Sequence, residues 1–219
     1  MEVLVIVAHS DDEVIGCGGT IAKHIASGDS VSLLVMTDGV SARGISEDAD
    51  VRETALSSSC RNLGVMEYKQ LSYPDNEMDS ISLLSIVKGI EDFAKDKNPQ
   101  IIYTHSNKDL NIDHQITMRA VMTAFRPQPN STVKAIYGFE VLSSTEWNTE
   151  QFNPVMFNVL DKEHMNKLEK SLDIYKEEMR IEPHSRSVTN IIRQRKYRGA
   201  CVGHKYVEAF EIYRDIKIN

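Results

Sequence analysis

Two clusters of histidine and acidic residues stand out in the sequence. The first is His9-Ser10-Asp11-Asp12-Glu13, and the second is the segment DLNIDH at 109–114. Imidazole nitrogen and carboxylate oxygen suit Zn²⁺, and a catalytic zinc keeps three protein ligands with one position open for water. His9 and Asp12, three residues apart on a tight turn, can reach one metal together with His114. These residues therefore form a candidate zinc site.

Asp11 lies between two of the candidate ligands and is left free to accept a proton. A water bound to zinc has its pKa lowered from about 16 to about 7, so it can attack a carbonyl at neutral pH. A carboxylate beside that water completes a hydrolytic pair. The residue types and their spacing predict metal-assisted hydrolysis with Asp11 as the general base.

Helix capping is the competing explanation for these residues. Adjacent aspartates before a helix are common N-cap and first-turn residues, because the helix dipole favours negative charge there. For residues 9–13 taken alone, the two explanations are equally well supported. The second cluster favours the metal site, since capping does not readily account for two such clusters on neighbouring loops.

The elements that must position these residues follow a βαβα rhythm. Apolar runs at 2–8 and 31–36, rich in β-branched residues, predict strands buried on both faces. Further strands are predicted near 68–71, 100–104 and 133–141, and helices over 20–28, 51–63, 81–95, 113–125, 161–180 and 188–199. The rhythm predicts one α/β domain over 1–219, with a parallel sheet flanked by helices. Ligands of such sheets bind beyond the carboxyl ends of the strands, where both clusters lie.

Composition and charge exclude several classes of protein. The 219 residues are 41% hydrophobic and 26% charged, which is ordinary for a soluble enzyme. We expect a cytoplasmic protein, because no apolar segment is long enough for a membrane helix and the apolar start lacks a basic leader. A net charge of -7 without a basic stripe argues against a nucleic-acid partner. Cys17, Cys60 and Cys201 lack CxxC spacing, so neither a disulfide framework nor a thiolate metal site is indicated.

Two motifs resemble those of a known family. The segment AHSDDEVIGCGGT at 8–20 resembles the AHPDDE-type signature of the PIG-L/LmbE-like deacetylases, and DLNIDHQ at 109–115 resembles their second motif. Leu63-Gly64-Val65 and the segment YVEAF at 206–210 also fit, so the resemblance covers nearly the whole chain. It implies a Rossmann-like fold and zinc-dependent removal of acetyl groups from compounds that contain N-acetylglucosamine.

The resemblance also implies roles for individual residues. His9, Asp12 and His114 match the zinc ligands of the family, and Asp11 matches its general base. These are the assignments that ligand chemistry suggests independently. Arg52, at the expected distance before the Leu-Gly pair, matches an arginine that contacts substrate.

Two positions depart from the family pattern. Ser10 replaces a proline, which alters the rigidity of the turn more than its chemistry. Asn111 replaces a histidine thought to stabilise the oxyanion or to protonate the leaving amine. An amide can donate a hydrogen bond to an oxyanion but cannot release a proton at neutral pH. Either Asp11 returns the proton or another group supplies it, and His184 is the candidate for that group, with an uninvolved loop histidine as the alternative.

Weaker candidates surround this constellation. Asp38 and Arg43 follow the second strand and are candidates to line a sugar site, although Asp-Gly is also an ordinary turn signal. We expect Asp113 to orient a neighbouring polar group and His105 to support the metal ligands without touching the metal. Trp147 fits either stacking on a sugar ring or packing between copies in a homo-oligomer, and both stay open.

Two other functions compete with a sugar deacetylase. One is a non-enzymatic, receiver-like domain that holds Mg²⁺ on paired acidic residues after its first strand. Mg²⁺ prefers oxygen ligands, however, and two histidines do not fit it. The other is an amidase of the same fold that acts on a non-sugar amide. The favoured partner is a small N-acyl amino sugar or sugar conjugate.

Overall fold

The structure is a computed structural model that describes residues 1–39 and 48–217, with only the backbone described for 48–50. Arg43, one candidate for a sugar site, lies outside the described residues. The described strands are β1 (Glu2–Val7), β2 (Ser30–Thr37), β3 (Glu67–Tyr73), β4 (Ile101–His105), β5 (Ala135–Phe139), β6 (Met156–Val159) and β7 (Val207–Asp215). The described α-helices are α1 (Asp12–Ala26), α2 (Asp48–Leu63), α3 (Leu83–Ala94), α4 (Ile112–Ala124), α5 (Lys162–Ile174) and α6 (Val188–Cys201).

All seven described strands belong to one sheet, in the order β3-β2-β1-β4-β5-β7-β6. The pairs among β1 to β5 are parallel, whereas β7 runs antiparallel to both β5 and β6. The predicted Rossmann-like, mostly parallel α/β fold is therefore confirmed. Because successive strands are added on opposite sides of β1, a crevice opens at the carboxyl ends of β1 and β4. The single domain over 1–219 stays a prediction.

The alternation of side chains along β1 divides the core into two layers. Val3, Val5 and Val7 pack against residues of α1, α2, α5 and α6 on one face of the sheet. Leu4 and Ile6 pack against α3 and α4 on the other face. Successive strand residues point to opposite faces, so an uninterrupted apolar run is what a doubly covered strand requires.

Helix α1 begins at Asp12, earlier than the apolar periodicity predicts. The glycines in its first turns interrupt that periodicity. A Cβ added at Gly16 would overlap the ring of Phe139 on β5, and one added at Gly19 would overlap Leu160. The helix is kinked at Cys17, whose φ of -149° is not helical. The glycine-rich segment is thus a site of close helix packing, which brings the first turn of α1 down onto the sheet.

None of the described helices combines the length and the apolar character that crossing a membrane requires. The longest of them, α2, has 16 residues.

Candidate active site

The two predicted clusters meet in one pocket at the carboxyl edge of the sheet. The loop between β1 and α1 and the start of α4 form its floor, and the loop before α6 covers one side. The pocket has a volume of about 150 Å³. Its described lining residues are His9, Asp11, Arg52, Asp75, Asn76, Asn111, His114, Ser143, Ser144 and Arg186.

The three predicted metal ligands converge on a single point. His9 Nδ1, His114 Nε2 and Asp12 Oδ2 lie 3.2 Å from one another in all three pairs. Ligands about 2.1 Å from a tetrahedral zinc lie about 3.4 Å apart, so this triangle has the dimensions of one face of such a site. Asp12 Oδ1 is also buried and accepts no hydrogen bond from the described residues. The donor set and its spacing fit zinc.

Carboxylates hold the far sides of both imidazole rings. His9 Nε2 lies 3.1 Å from Asp113 Oδ2 and 3.1 Å from Asp75 Oδ1. His114 Nδ1 lies 3.1 Å from Asp109 Oδ2, an ion-pair contact without hydrogen-bond geometry. Carboxylates that bind the second ring nitrogen of a ligating histidine fix its orientation and raise its basicity. Asp113 is thus placed where it can orient His9.

The acidic surroundings raise the pKa of both histidines. Burial lowers the pKa of His114, but Asp12 and Asp109 more than compensate, and the pKa is about 9. Burial also lowers the pKa of His9. The hydrogen bond with Asp113 and the contacts with further carboxylates outweigh this effect, so the pKa of His9 is raised well above its usual value. A site that draws protons onto two imidazoles favours positive charge. A divalent cation would supply that charge in place of the protons.

Asp11 is buried and held in an unusual backbone conformation. Its φ of 110° lies in the left-handed region that residues other than glycine rarely adopt. Its N–H donates to Glu13 Oε2 at 2.9 Å, which ties the loop to the start of α1. Burial raises the pKa of Asp11 to about 6, against the opposing charge of Arg186. The carboxylate of Asp11 is thus more basic than that of an exposed aspartate.

Asn111 serves as the N-cap of α4. Its Oδ1 accepts hydrogen bonds from the N–H groups of Asp113 and His114, at 2.9 and 3.3 Å. Its Nδ2 donates to Asn76 Oδ1 at 3.1 Å. The side chain that replaces the family histidine is therefore committed to capping the helix that carries His114.

The two lining arginines are held differently. Arg52 donates from Nε and Nη2 to Glu178 Oε1, at 3.1 and 2.7 Å. Arg186 Nη2 lies 3.4 Å from Asp11 Oδ1 and 3.7 Å from Asp12 Oδ1. The chain thus places a guanidinium group directly beside the candidate base, at a position that the sequence did not indicate.

The remaining predicted residues lie at varying distances from the pocket. His105 stacks on His114 with ring centroids 3.9 Å apart, and burial followed by the charge of His114 lowers its pKa to about 3. Asp38 follows β2 but is not one of the described lining residues. His184 is exposed, also outside the described lining, and its ring packs edge-on against Trp147 at 6.3 Å. The structure does not bring His184 to the carboxylate of Asp11.

Three contributors had no role assigned from the sequence: Asp75, Asp109 and Arg186. Asp75 and Asp109 carried a usable signal, because both follow strands at the edge where the two clusters lie. Arg186 carried no such signal in the sequence. It follows Asp11 by 175 residues, in a polar loop with no distinctive spacing.

The fold and the pocket define an α/β protein with a candidate metal-binding and acid–base site at the carboxyl edge of its sheet. Residues 4–125 match the PIG-L family, described as GlcNAc-PI de-N-acetylase, and the chain belongs to this family. The resemblance carried by the two motifs is therefore confirmed.

Several characterised and uncharacterised proteins are similar to the chain. It is 29% identical over 168 residues to the uncharacterized deacetylase YaiS of Escherichia coli (strain K12), which covers 74% of this chain and 83% of that protein. N,N'-diacetylchitobiose deacetylase from Pyrococcus horikoshii has a TM-score of 0.79 and 22% identity, with coverages of 97% and 83%. GalB, the 4-carboxy-2-hydroxymuconate hydratase from Pseudomonas putida KT2440, has a TM-score of 0.76 and 18% identity, with coverages of 100% and 99%. At these identities the two solved structures show the fold alone, so the function must be argued from the site.

Proposed function

We propose that the chain is a zinc-dependent N-deacetylase that hydrolyses the amide of an N-acetylated amino sugar or sugar conjugate. The observation that carries the proposal is the triangle of His9 Nδ1, His114 Nε2 and Asp12 Oδ2, with the carboxylate of Asp11 beside it. Membership of the PIG-L family, described as GlcNAc-PI de-N-acetylase, supports the substrate class. A cytoplasmic location and homo-oligomeric assembly stay predictions.

The residues of the triangle would hold the metal through the atoms that face one another. When bound, zinc supplies the Lewis acidity that polarises the amide carbonyl and makes water nucleophilic at neutral pH. Asp113, Asp75 and Asp109 keep the two imidazoles in place from behind. His105 supports His114 by stacking, and its Nε2 accepts a hydrogen bond from the N–H of Ala8.

Asp11 performs the proton transfers. It accepts a proton from the attacking water as the new C–O bond forms. When the C–N bond breaks, the same carboxyl returns the proton to the leaving amine, so the products are acetate and free amine. Asn111 cannot take this second role, because an amide does not release a proton at neutral pH. Arg52, held by Glu178 on another side of the pocket, is proposed to contact the sugar.

The experiment is a substrate screen with the zinc-loaded chain. The panel contains N-acetylglucosamine, N,N'-diacetylchitobiose, N-acetylglucosaminides of several aglycones and, as non-sugar amides, N-acetylated amino acids. We expect amine and acetate in equal amounts from at least one sugar, loss of turnover after chelation, and recovery on adding zinc. Amine release from the N-acetylated amino acids alone would indicate that the substrate is a non-sugar amide. The absence of amine release from every amide, in protein with full zinc content, would contradict a deacetylase.

A further inference from the structure

The side chain of Asn111, at the edge of the pocket, is engaged in structural contacts. Its oxygen caps α4 and its Nδ2 points to Asn76, so its amide orientation is set by structural contacts. In addition to the metal, a reaction through a tetrahedral intermediate is accelerated by a positive group or hydrogen-bond donor near the oxygen that becomes negative. Such a group must lie at the same end of the pocket as Asp11.

Arg186 meets this requirement. Of the two arginines that line the described part of the pocket, Arg52 donates twice to Glu178 at short distances. Arg186 instead donates one long hydrogen bond, 3.4 Å from Nη2 to Asp11 Oδ1, and its buried Nε has no partner among the described residues. It therefore has donor capacity left beside the reacting atoms.

We infer that Arg186 stabilises the oxyanion of the deacetylation reaction, and this role rests on the proposed function. As the base removes a proton from water, the new C–O bond forms and the carbonyl π electrons move onto oxygen. Negative charge thus passes from Asp11 to the substrate oxygen. Arg186 loses an ionic partner and gains another in the same step, so its interaction is stronger in the transition state than before it. A guanidinium does not release its proton, so Asp11 still returns the proton to the amine.

The loop before α6 holds Arg186 in position. The N–H of Arg186 donates to His184 Nδ1 at 3.1 Å, and its carbonyl oxygen accepts from the N–H of Arg180 at 3.2 Å. Ser187, the next residue, caps α6 by accepting from the N–H of Asn190. His184 therefore helps to position Arg186 through the backbone of that residue.

Substitution of Arg186 tests the inference on a cleaved sugar such as N,N'-diacetylchitobiose. Removing one oxyanion donor typically costs about 10²–10³ in kcat. We expect that loss in Arg186→Met, with KM and zinc content close to those of the unmodified chain. Millimolar guanidinium chloride, far below denaturing concentrations, is expected to restore part of kcat in Arg186→Ala. Arg193→Met is the matched control, because Arg193 is exposed on α6 and pairs with Glu182.

Binding of methylphosphonate, a tetrahedral anion, gives a readout that does not depend on turnover. Calorimetry on zinc-loaded protein is expected to show that Arg186→Met binds methylphosphonate at least about tenfold more weakly than the unmodified chain. Binding by Arg193→Met is expected to be unchanged. The difference is expected because a charge-assisted hydrogen bond is worth about 1.5–3 kcal/mol. Unchanged kcat, unchanged methylphosphonate affinity, or zinc loss in Arg186→Met would each overturn the inference. If the unmodified chain cleaves no N-acetyl sugar, the proposed function fails, and the methylphosphonate comparison still tests Arg186.

Discussion

Glu13 is expected to hold the candidate base in its strained conformation. A non-glycine residue at positive φ costs about 1–3 kcal/mol, so neighbouring contacts must maintain it. Glu13 Oε2 accepts the N–H of Asp11 at 2.9 Å. Its Oε1 accepts the hydroxyls of Tyr175 and Ser59, at 2.8 and 3.3 Å. The carboxyl is fully buried, and burial raises its pKa to about 7 against the hydrogen bond from Tyr175.

Glu13→Ala leaves three buried donors without their acceptor. At about 1–3 kcal/mol each, and with a long bond from Ser59, the expected loss in free energy of unfolding is about 3–5 kcal/mol. Glu13→Gln is expected to lose less, about 1–3 kcal/mol, because its amide oxygen can still accept the N–H of Asp11, while its nitrogen cannot accept the hydroxyls of Tyr175 and Ser59. Turnover is expected to fall in the alanine variant and to be largely retained in the glutamine variant.

Urea unfolding and kcat on one cleaved amide measure both effects. Glu169→Ala is the control, since Glu169 is exposed on α5 and outside the pocket. An alanine variant at residue 13 that is as stable as the control would refute the role of the hydrogen bonds. Normal kcat in Glu13→Ala would refute the link between Glu13 and the position of Asp11.

Three further predictions concern the elements around the site. Gly16→Ala is expected to destabilise the fold by about 1–3 kcal/mol or more, measured by thermal unfolding, because its methyl group would overlap Phe139. Asn111→Ala is expected to lose about 0.5–2 kcal/mol through the missing N-cap, whereas Asn111→Asp retains the cap, as urea unfolding would show. Asp109→Asn is expected to weaken zinc affinity about 10–100-fold, measured by competition with a chelator, because Asp109 holds His114 from behind. Unchanged stability in the first two variants, or unchanged zinc affinity in the third, would contradict these structural roles.

Strands β1, β2, β4 and β5 could be predicted because they are buried on both faces and read as apolar runs, whereas β3 is a partly exposed edge strand. The last two strands could not be predicted in this way. β6 has only four residues, and β7 carries two buried glutamates that interrupt its hydrophobic pattern. Glu208 accepts from Arg195 and from the N–H groups of Gly19 and Thr20, so its burial depends on distant partners.

A similar limit applies to the site. His9, Asp11 and Asp12 could be predicted because a single turn after a strand brings them together. The contacts that tune them come from far along the chain, as Tyr175 does for Glu13. The sequence offered His184 as a candidate for the missing group, with an uninvolved loop histidine as the alternative, whereas the side chain that its loop brings next to Asp11 is that of Arg186. Local pattern does not show which side chain of a loop enters a pocket.

The most direct measurement is zinc content together with kcat in two variants of the central site. We predict about one zinc per unmodified chain, as a site with three protein ligands implies. Asp11→Ala is expected to keep its zinc and lose most of its activity, whereas His114→Ala is expected to lose the metal. Turnover retained in Asp11→Ala, or full zinc in His114→Ala, would contradict a site in which His9, Asp12 and His114 hold the metal and Asp11 is the base.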